Sequence, residues 1–332
     1  MENFPSYQEP PGPDTTPVTE LTVIPPKPPA EEPRSRSSVW LRSVTSLLLY
    51  FVIGYYFFNQ NWTLVIVLTA VVVFHELGHF MAMKYFNYTE LGIFFIPLLG
   101  AYASGKKQEI SQLQSSIILL AGPVPGIIMG VVLNLTAQQF GDDAHLVESI
   151  SWVLVYLNLL NLLPIYPLDG GQLLNRLFLD NSQIISKIFL ILSICAMVWF
   201  ALFGMQRPIY ALLIIPFFLL TRMVTDSQFD RLTKKVEDEG IDLDTSYEQI
   251  SDENYWKIRN ILIRNHAALK DVPPSPPYEY SPKEEQVKSL MQNLLQRTIV
   301  QDLSIARKIL IIIIWVGCFA VPFIIDLRRA LP

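Results

Sequence analysis

The sequence predicts an all-α polytopic membrane protein of about six to seven transmembrane helices. Composition is the first observation. Of 332 residues, 51% are hydrophobic and 17% charged, against about 25% charged in an average soluble domain. Mean hydropathy is +0.33. The second observation is a series of long apolar runs, each approaching the roughly 20 residues that span a bilayer. The third is a broken apolar stretch, Leu91 to Ala103, interrupted by Gly92, Pro97 and Gly100. It is too irregular for a spanning helix.

The runs follow one another along the chain. They are Trp40 to Phe58, Trp62 to Tyr85, Leu113 to Thr136, Ser149 to about Tyr166, Ile184 to Phe203, Pro208 to Leu220 and Ile309 to Ile325. One such run can be the core helix of a soluble protein, but a series of them in one chain argues for a membrane. Before them, residues 1–37 hold ten prolines and few large apolar side chains. Such a segment buries too little apolar area to offset its ordering entropy, so a disordered tail acting as a spacer is expected. The N-terminus is acidic and proline-rich rather than basic and apolar. No cleaved signal peptide is read there, and the first apolar run is expected to be retained.

Four domains are expected: the tail (1–37), a membrane domain that holds the motifs described below (38–225), a cytoplasmic helical region (226–306) and a C-terminal transmembrane helix (307–332). In the helical region, two helices are joined by Pro273-Pro274-Ser275-Pro276-Pro277. The stripe Val287, Leu290, Met291, Leu294, Leu295 and Ile299 has helical spacing. It suits packing on a partner helix, on the membrane domain or on another copy.

Lys and Arg in short loops set orientation. Arg34, Arg36 and Arg42 flank the first span, so the N-terminus is expected in the cytoplasm. Lys84, Lys106 and Lys107, then Arg176 and Lys187, then Arg222, Arg231, Lys234 and Lys235 recur on that side. The acidic loop with Asp142, Asp143 and Glu148 falls opposite. The last run is ambiguous, because Arg307 and Lys308 precede it while Arg328 and Arg329 follow it. A multi-pass protein of a bacterial inner membrane is expected. The formal net charge of −5 is too mild to argue for a nucleic-acid partner. Two cysteines, Cys195 and Cys318, lie inside apolar runs and form neither a disulfide framework nor a metal site.

The strongest local signal is His75-Glu76-Leu77-Gly78-His79. Residues four apart share one helix face, so both imidazoles can reach one zinc ion. The Glu beside the first can carry protons for a water that zinc makes acidic, with a pKa of roughly 7. No charged residue occurs from Trp62 to Phe74. Three ionisable groups then appear within five residues of a spanning helix, where such groups are costly and usually functional. Two histidines need a further ligand. His145 and His266 lie too far away in the expected topology. Asp169 sits in Asn161-Leu162-Leu163-Pro164-Ile165-Tyr166-Pro167-Leu168-Asp169-Gly170-Gly171, at the same membrane side as His75. The prolines and glycines imply an interrupted helix, which membrane proteins tolerate where it lines a cavity.

These motifs resemble the site-2 protease family of intramembrane zinc metalloproteases. HExxH matches His75, Glu76 and His79. Asn-x-x-Pro followed by Asp-Gly matches Asn161, Pro164, Asp169 and Gly170. The resemblance covers about residues 40–220. It implies one Zn2+ held by His75, His79 and Asp169, with Glu76 as acid/base. Ala121-Gly122-Pro123 is similar to a Gly-Pro on the family's middle core helix. The stretch Phe94 to Ala103 resembles the family's membrane-dipping β-hairpin near the active site, which implies an edge strand offered to substrate. Tyr166 departs from the family, where proline is common. Asn161 is a candidate second catalytic residue, its amide a donor to substrate or a developing oxyanion; the alternative is simple satisfaction of local backbone. The implied activity is hydrolysis of peptide bonds within or beside transmembrane segments, with membrane proteins such as single-pass regulators as substrates. The sequence leaves the oligomeric state open. The competing classes are a polytopic metal transporter, a catalytically silent binding protein and another membrane zinc enzyme such as a prenyl-protein endopeptidase.

Overall fold

The computed structural model describes residues 24–29, 36–57, 60–96, 100–107, 110–179, 182–204, 206, 208–243, 245–295 and 299–330. Most of the expected tail therefore lies outside the described residues. The chain is mainly helical. Helix α1 (Arg36–Phe57) and α2 (Trp62–Tyr85) lead into a hairpin of β1 (Thr89–Ile96) and β2 (Gly100–Lys106). A short strand, β3 (Ile110–Ser111), precedes α3 (Gln112–Ala121), α4 (Pro123–Thr136), a 3-10 turn and α5 (Ala144–Asn161). Then come α6 (Asp169–Leu174), α7 (Gln183–Phe203) and α8 (Ile214–Asp238). The C-terminal part holds α9 (Asp252–Asn265), α10 (Glu284–Leu295), β4 (Ile299–Val300), α11 (Ile305–Cys318) and α12 (Val321–Ala330).

Among the described residues, five helical stretches are long and apolar enough to cross a membrane: Val39–Phe57, Trp62–Tyr85, Gln112–Asn161, Ile184–Phe203 and Tyr210–Asp238. The third is 50 residues long. It contains the third and fourth expected spans, because α4 and α5 form a closely packed hairpin across the 3-10 turn. Lipid explains the outer faces. On α7, Ile184 is 72% exposed and Phe203 70%, an arrangement water would penalise. The chain is an integral membrane protein.

The seventh expected span is not a continuous helix. It divides into α11 and α12, with Pro322 in the first turn of α12. Proline lacks the donor that a continued helix needs and disfavours helical geometry just before it. Nor does the segment stand apart as its own unit. Ile311, Trp315, Cys318 and Ile325 join the core of the catalytic region, beside Leu119, Val155 and Leu162. The Trp315 indole donates to the Leu162 carbonyl at 2.8 Å. Upstream, β4 pairs in parallel with β3. Asp302 accepts from the Ser111 hydroxyl at 2.5 Å and from the backbone N–H of Leu113 at 3.0 Å, which caps the start of α3.

The boundary expected at 225/226 falls inside α8, which runs unbroken from the apolar region into the C-terminal helical region. Its last turns bury Leu232 and Val236 with α9 and α10. The stripe on α10 points into that same core, where Val287, Met291, Leu294 and Leu295 are buried and Leu290 partly so; Ile299, expected on the same stripe, falls in β4 beyond the end of the helix. It packs on its partner helices.

Candidate metal centre

Close helix packing builds the centre. A Cβ on Gly122 would lie 2.3 Å from His79 Nε2, so only glycine lets the α3–α4 junction reach the imidazole. A Cβ on Gly170 would lie 1.9 Å from the Leu162 carbonyl oxygen. That close approach folds the Pro164–Leu168 break back on the end of α5 and delivers Asp169 at the start of α6.

His75, His79 and Asp169 converge, with one potential ligand atom of each lying within 4.8 Å of the others. His75 Nε2 and His79 Nε2 are 3.0 Å apart. Asp169 Oδ2 lies 3.0 Å from the first and 3.3 Å from the second. All three side chains are largely buried.

Tautomers follow from the outer contacts. His79 Nδ1 lies 2.7 Å from the Ile118 carbonyl, which can only accept, so Nδ1 carries the proton. Asn158 Nδ2 donates to the Leu154 carbonyl at 2.7 Å, which fixes the amide orientation. Its Oδ1 then accepts from His75 Nδ1 at 2.7 Å. In the neutral rings, which are the ligating form, both Nε2 atoms then turn lone pairs toward each other and the Asp169 oxygen. Asp169 Oδ2 consequently has no donor. Three facing lone pairs at this separation repel unless a cation lies among them. Tetrahedral ligands at about 2.0–2.1 Å from zinc sit roughly 3.3 Å apart, close to the spacing observed. The donor set of two imidazoles and a carboxylate fits a catalytic zinc site with one position left open.

Glu76 is also buried, 5% exposed, on the same face of α2. One carboxylate oxygen, Oε2, has no hydrogen-bond partner. The β1–β2 hairpin lies against α2, the helix that carries Glu76. That hairpin pairs Phe94 with Tyr102 and Ile93 with Ala103, and packs on α1 and α2.

Asn161 is not brought to the centre. It lies on the last turn of α5, where its amide donates to the Leu157 carbonyl of its own helix at 3.3 Å. Asn158, one turn earlier, occupies the position against His75 and is fully buried. The sequence does carry a signal for it: a second amide in the apolar run Leu154 to Leu163, where an unpaired polar group would be costly.

Parts of the chain are similar to known proteins. Residues 63–142 match the model of peptidase family M50. The chain is similar to this family over that stretch, which includes His75, Glu76 and His79. It is 28% identical over 185 residues to Zinc metalloprotease MJ0392 of Methanocaldococcus jannaschii, a match covering 52% of each chain. It is 29% identical over 111 residues to Stage IV sporulation protein FB of Bacillus subtilis, covering 33% of this chain and 38% of that one. The chain thus spans about half the length of the first relative and less of the second. Among solved structures it is similar to a site-2 protease from Methanocaldococcus jannaschii, at 25% identity and a TM-score of 0.40, over 54% of this chain and 84% of that one. The likeness to a zinc metalloprotease fits zinc as the ion for this His-His-Asp donor set.

Proposed function

We propose that this protein is a zinc metalloendopeptidase that hydrolyses peptide bonds within or beside transmembrane segments of other membrane proteins. The carrying observation is the convergence of His75, His79 and Asp169 next to Glu76, whose buried Oε2 is unpartnered. Zinc at this centre supplies a Lewis acid for the scissile carbonyl and lowers the pKa of the attacking water. The remaining work falls to the chain. His75, His79 and Asp169 hold the ion. Asn158 and the Ile118 carbonyl keep both rings in the ligating tautomer. Glu76 accepts a proton from water during attack and returns one to the leaving amine. Its neighbours supply little competing hydrogen bonding, so the carboxylate is free for that transfer.

A peptide bond inside a helix must be unwound before it can be cut. The opened backbone groups need partners in lipid. The two-stranded hairpin beside Glu76 supports a reading in which substrate adds as a further strand. Single-pass regulators are the proposed substrates, the bacterial inner membrane the proposed location, and the cytoplasm the proposed side of the N-terminus.

The test is cleavage of a membrane-embedded reporter by the full chain in proteoliposomes. Glu76→Gln is expected to lower the rate by about 10³-fold or more while zinc content is kept. Unchanged cleavage would remove Glu76 as the base. A chelator should abolish wild-type activity, and added zinc should restore it.

A further inference from the structure

Residues 24–29, Ile-Pro-Pro-Lys-Pro-Pro, lie against the C-terminal helical region rather than apart from it. Ile24, Pro25, Lys27 and Pro28 each precede a proline, which disfavours helix and favours the extended polyproline conformation. That conformation makes no internal hydrogen bonds, so its carbonyls are free to be read by a partner. Here the four proline carbonyls, on either side of Lys27, are each read. Trp256 Nε1 donates to the Pro25 carbonyl at 2.9 Å. The Tyr280 hydroxyl donates to that of Pro26. The Tyr247 hydroxyl donates to that of Pro28 at 2.8 Å, and Lys288 Nζ to that of Pro29 at 3.2 Å.

These donors stand on a built surface. Trp256, Tyr247 and Lys288 are each at least nine-tenths buried. The Trp256 ring packs with those of Tyr255, Tyr278 and Tyr280. Lys27 fills a pocket of its own. Its ammonium donates to the carbonyls of Tyr247, Glu248 and Ile250 at 2.9, 2.8 and 2.5 Å. It also lies 5.6 Å from the centre of the Tyr247 ring. Its backbone N–H donates to Asp252 Oδ1 at 2.8 Å. Of the residues from Pro25 to Pro29 it alone has an N–H to give, and that donor is used.

We propose that the C-terminal helical region is a polyproline-recognition module whose ligand is this chain's own residues 24–29, with Lys27 setting its specificity. An aromatic-lined groove that reads proline carbonyls suits a pre-extended ligand, which loses little entropy on docking. The carbonyl cage around Lys27 excludes an acidic or apolar residue there. Docking in the same chain raises the local ligand concentration, so the groove is filled without a high intrinsic affinity. The module ties the segment before α1 to the region after α8. This reading is independent of the metal centre.

The experiment uses the full chain in detergent and a fluorescent peptide of residues 23–30. The Lys27→Glu chain, whose own segment is repelled from the cage, is expected to bind the natural peptide. The wild-type chain should bind it about tenfold more weakly or worse, because its groove is occupied. The same peptide carrying Lys27→Glu should bind neither chain. Adding Trp256→Phe to the Lys27→Glu chain keeps the ring, removes the indole donor and should weaken peptide binding; thermal unfolding checks that it still folds. Equal binding to the wild-type and Lys27→Glu chains, or no binding to the latter, would overturn the proposal. So would equal binding of the two peptides. A wild-type dimer that becomes monomeric on Lys27→Glu substitution would assign the ligand to a second copy and overturn the intramolecular reading.

Discussion

The protein buries ionisable clusters in two regions, and they are satisfied very differently. In the C-terminal helical region, Arg259 is fully buried. Its Nε and one terminal nitrogen hold both Glu284 carboxylate oxygens, at 2.8 and 3.0 Å. The remaining donors reach the Pro273 carbonyl, the Ser275 hydroxyl and the Glu279 carbonyl. Five donors find five acceptors, and Tyr255 adds a hydroxyl donor to Glu284. In the metal centre, His75, His79 and Asp169 turn acceptors toward one another, and Glu76 keeps an oxygen without a partner. Burial of charge alone therefore does not mark function here. Here the complete hydrogen-bond set belongs to the structural cluster, and the incomplete one to the cluster whose residue types can hold a metal ion.

The contrast can be broken in several ways. The largest effect on stability is expected from Arg259→Met, which strands Glu284 in a site where its side chain is only 10% exposed. Loss of about 3–5 kcal/mol is expected, read as denaturant unfolding of the C-terminal region. Arg259→Met with Glu284→Leu should lose clearly less, since no charge is then left alone. An equal loss in both variants would show that packing, not pairing, carries the cluster.

A smaller effect is expected from Asn158→Leu. It leaves the His75 Nδ1–H without its acceptor, and should weaken zinc binding by about 10–100-fold in competition with a chelator. Asn161→Leu should stay close to wild type in the same titration. If Asn161→Leu weakened zinc binding and Asn158→Leu did not, the outer contacts described for the centre would be misassigned.

The smallest effect is a pH dependence. Burial raises the Glu284 carboxyl, but hydrogen bonds from Arg259 and Tyr255 outweigh it and hold the group below its ordinary value of 4.5. A carboxyl lowered on folding adds stability that is complete above the unfolded value and is lost as pH falls through the folded one. The C-terminal region should therefore unfold more easily as pH drops below about 4.5. The Arg259→Met, Glu284→Leu double variant should lack that part of the decline. A decline of the same steepness in the double variant would assign it to other carboxylates.

Much of this was legible in the sequence. His75 and His79 are read from one helical turn, because their relation is local. Asp169 was reachable because prolines and glycines around it predict a break in a helix that needs a polar reason. Asn158 was not, since the Asn-x-x-Pro pattern drew the reading to Asn161, and only the packing of α5 on α2 decides which amide faces His75. Hydropathy read the last run as one span because it sums apolar residues without weighing where Pro322 divides them. The same run turned out to brace the Leu162 carbonyl through Trp315, a contact across 153 residues. Composition read residues 1–37 as a spacer because it carries no information on an aromatic surface assembled more than 200 residues later.

The central claim is that three side chains from α2 and α6 hold one divalent cation. Zinc content of the purified full chain measures it directly. About one zinc per chain is expected for wild type and for Glu76→Gln, and almost none for His79→Ala or Asp169→Ala. Full zinc content in the Asp169→Ala chain, or none in the wild type after reconstitution with zinc, would contradict the account.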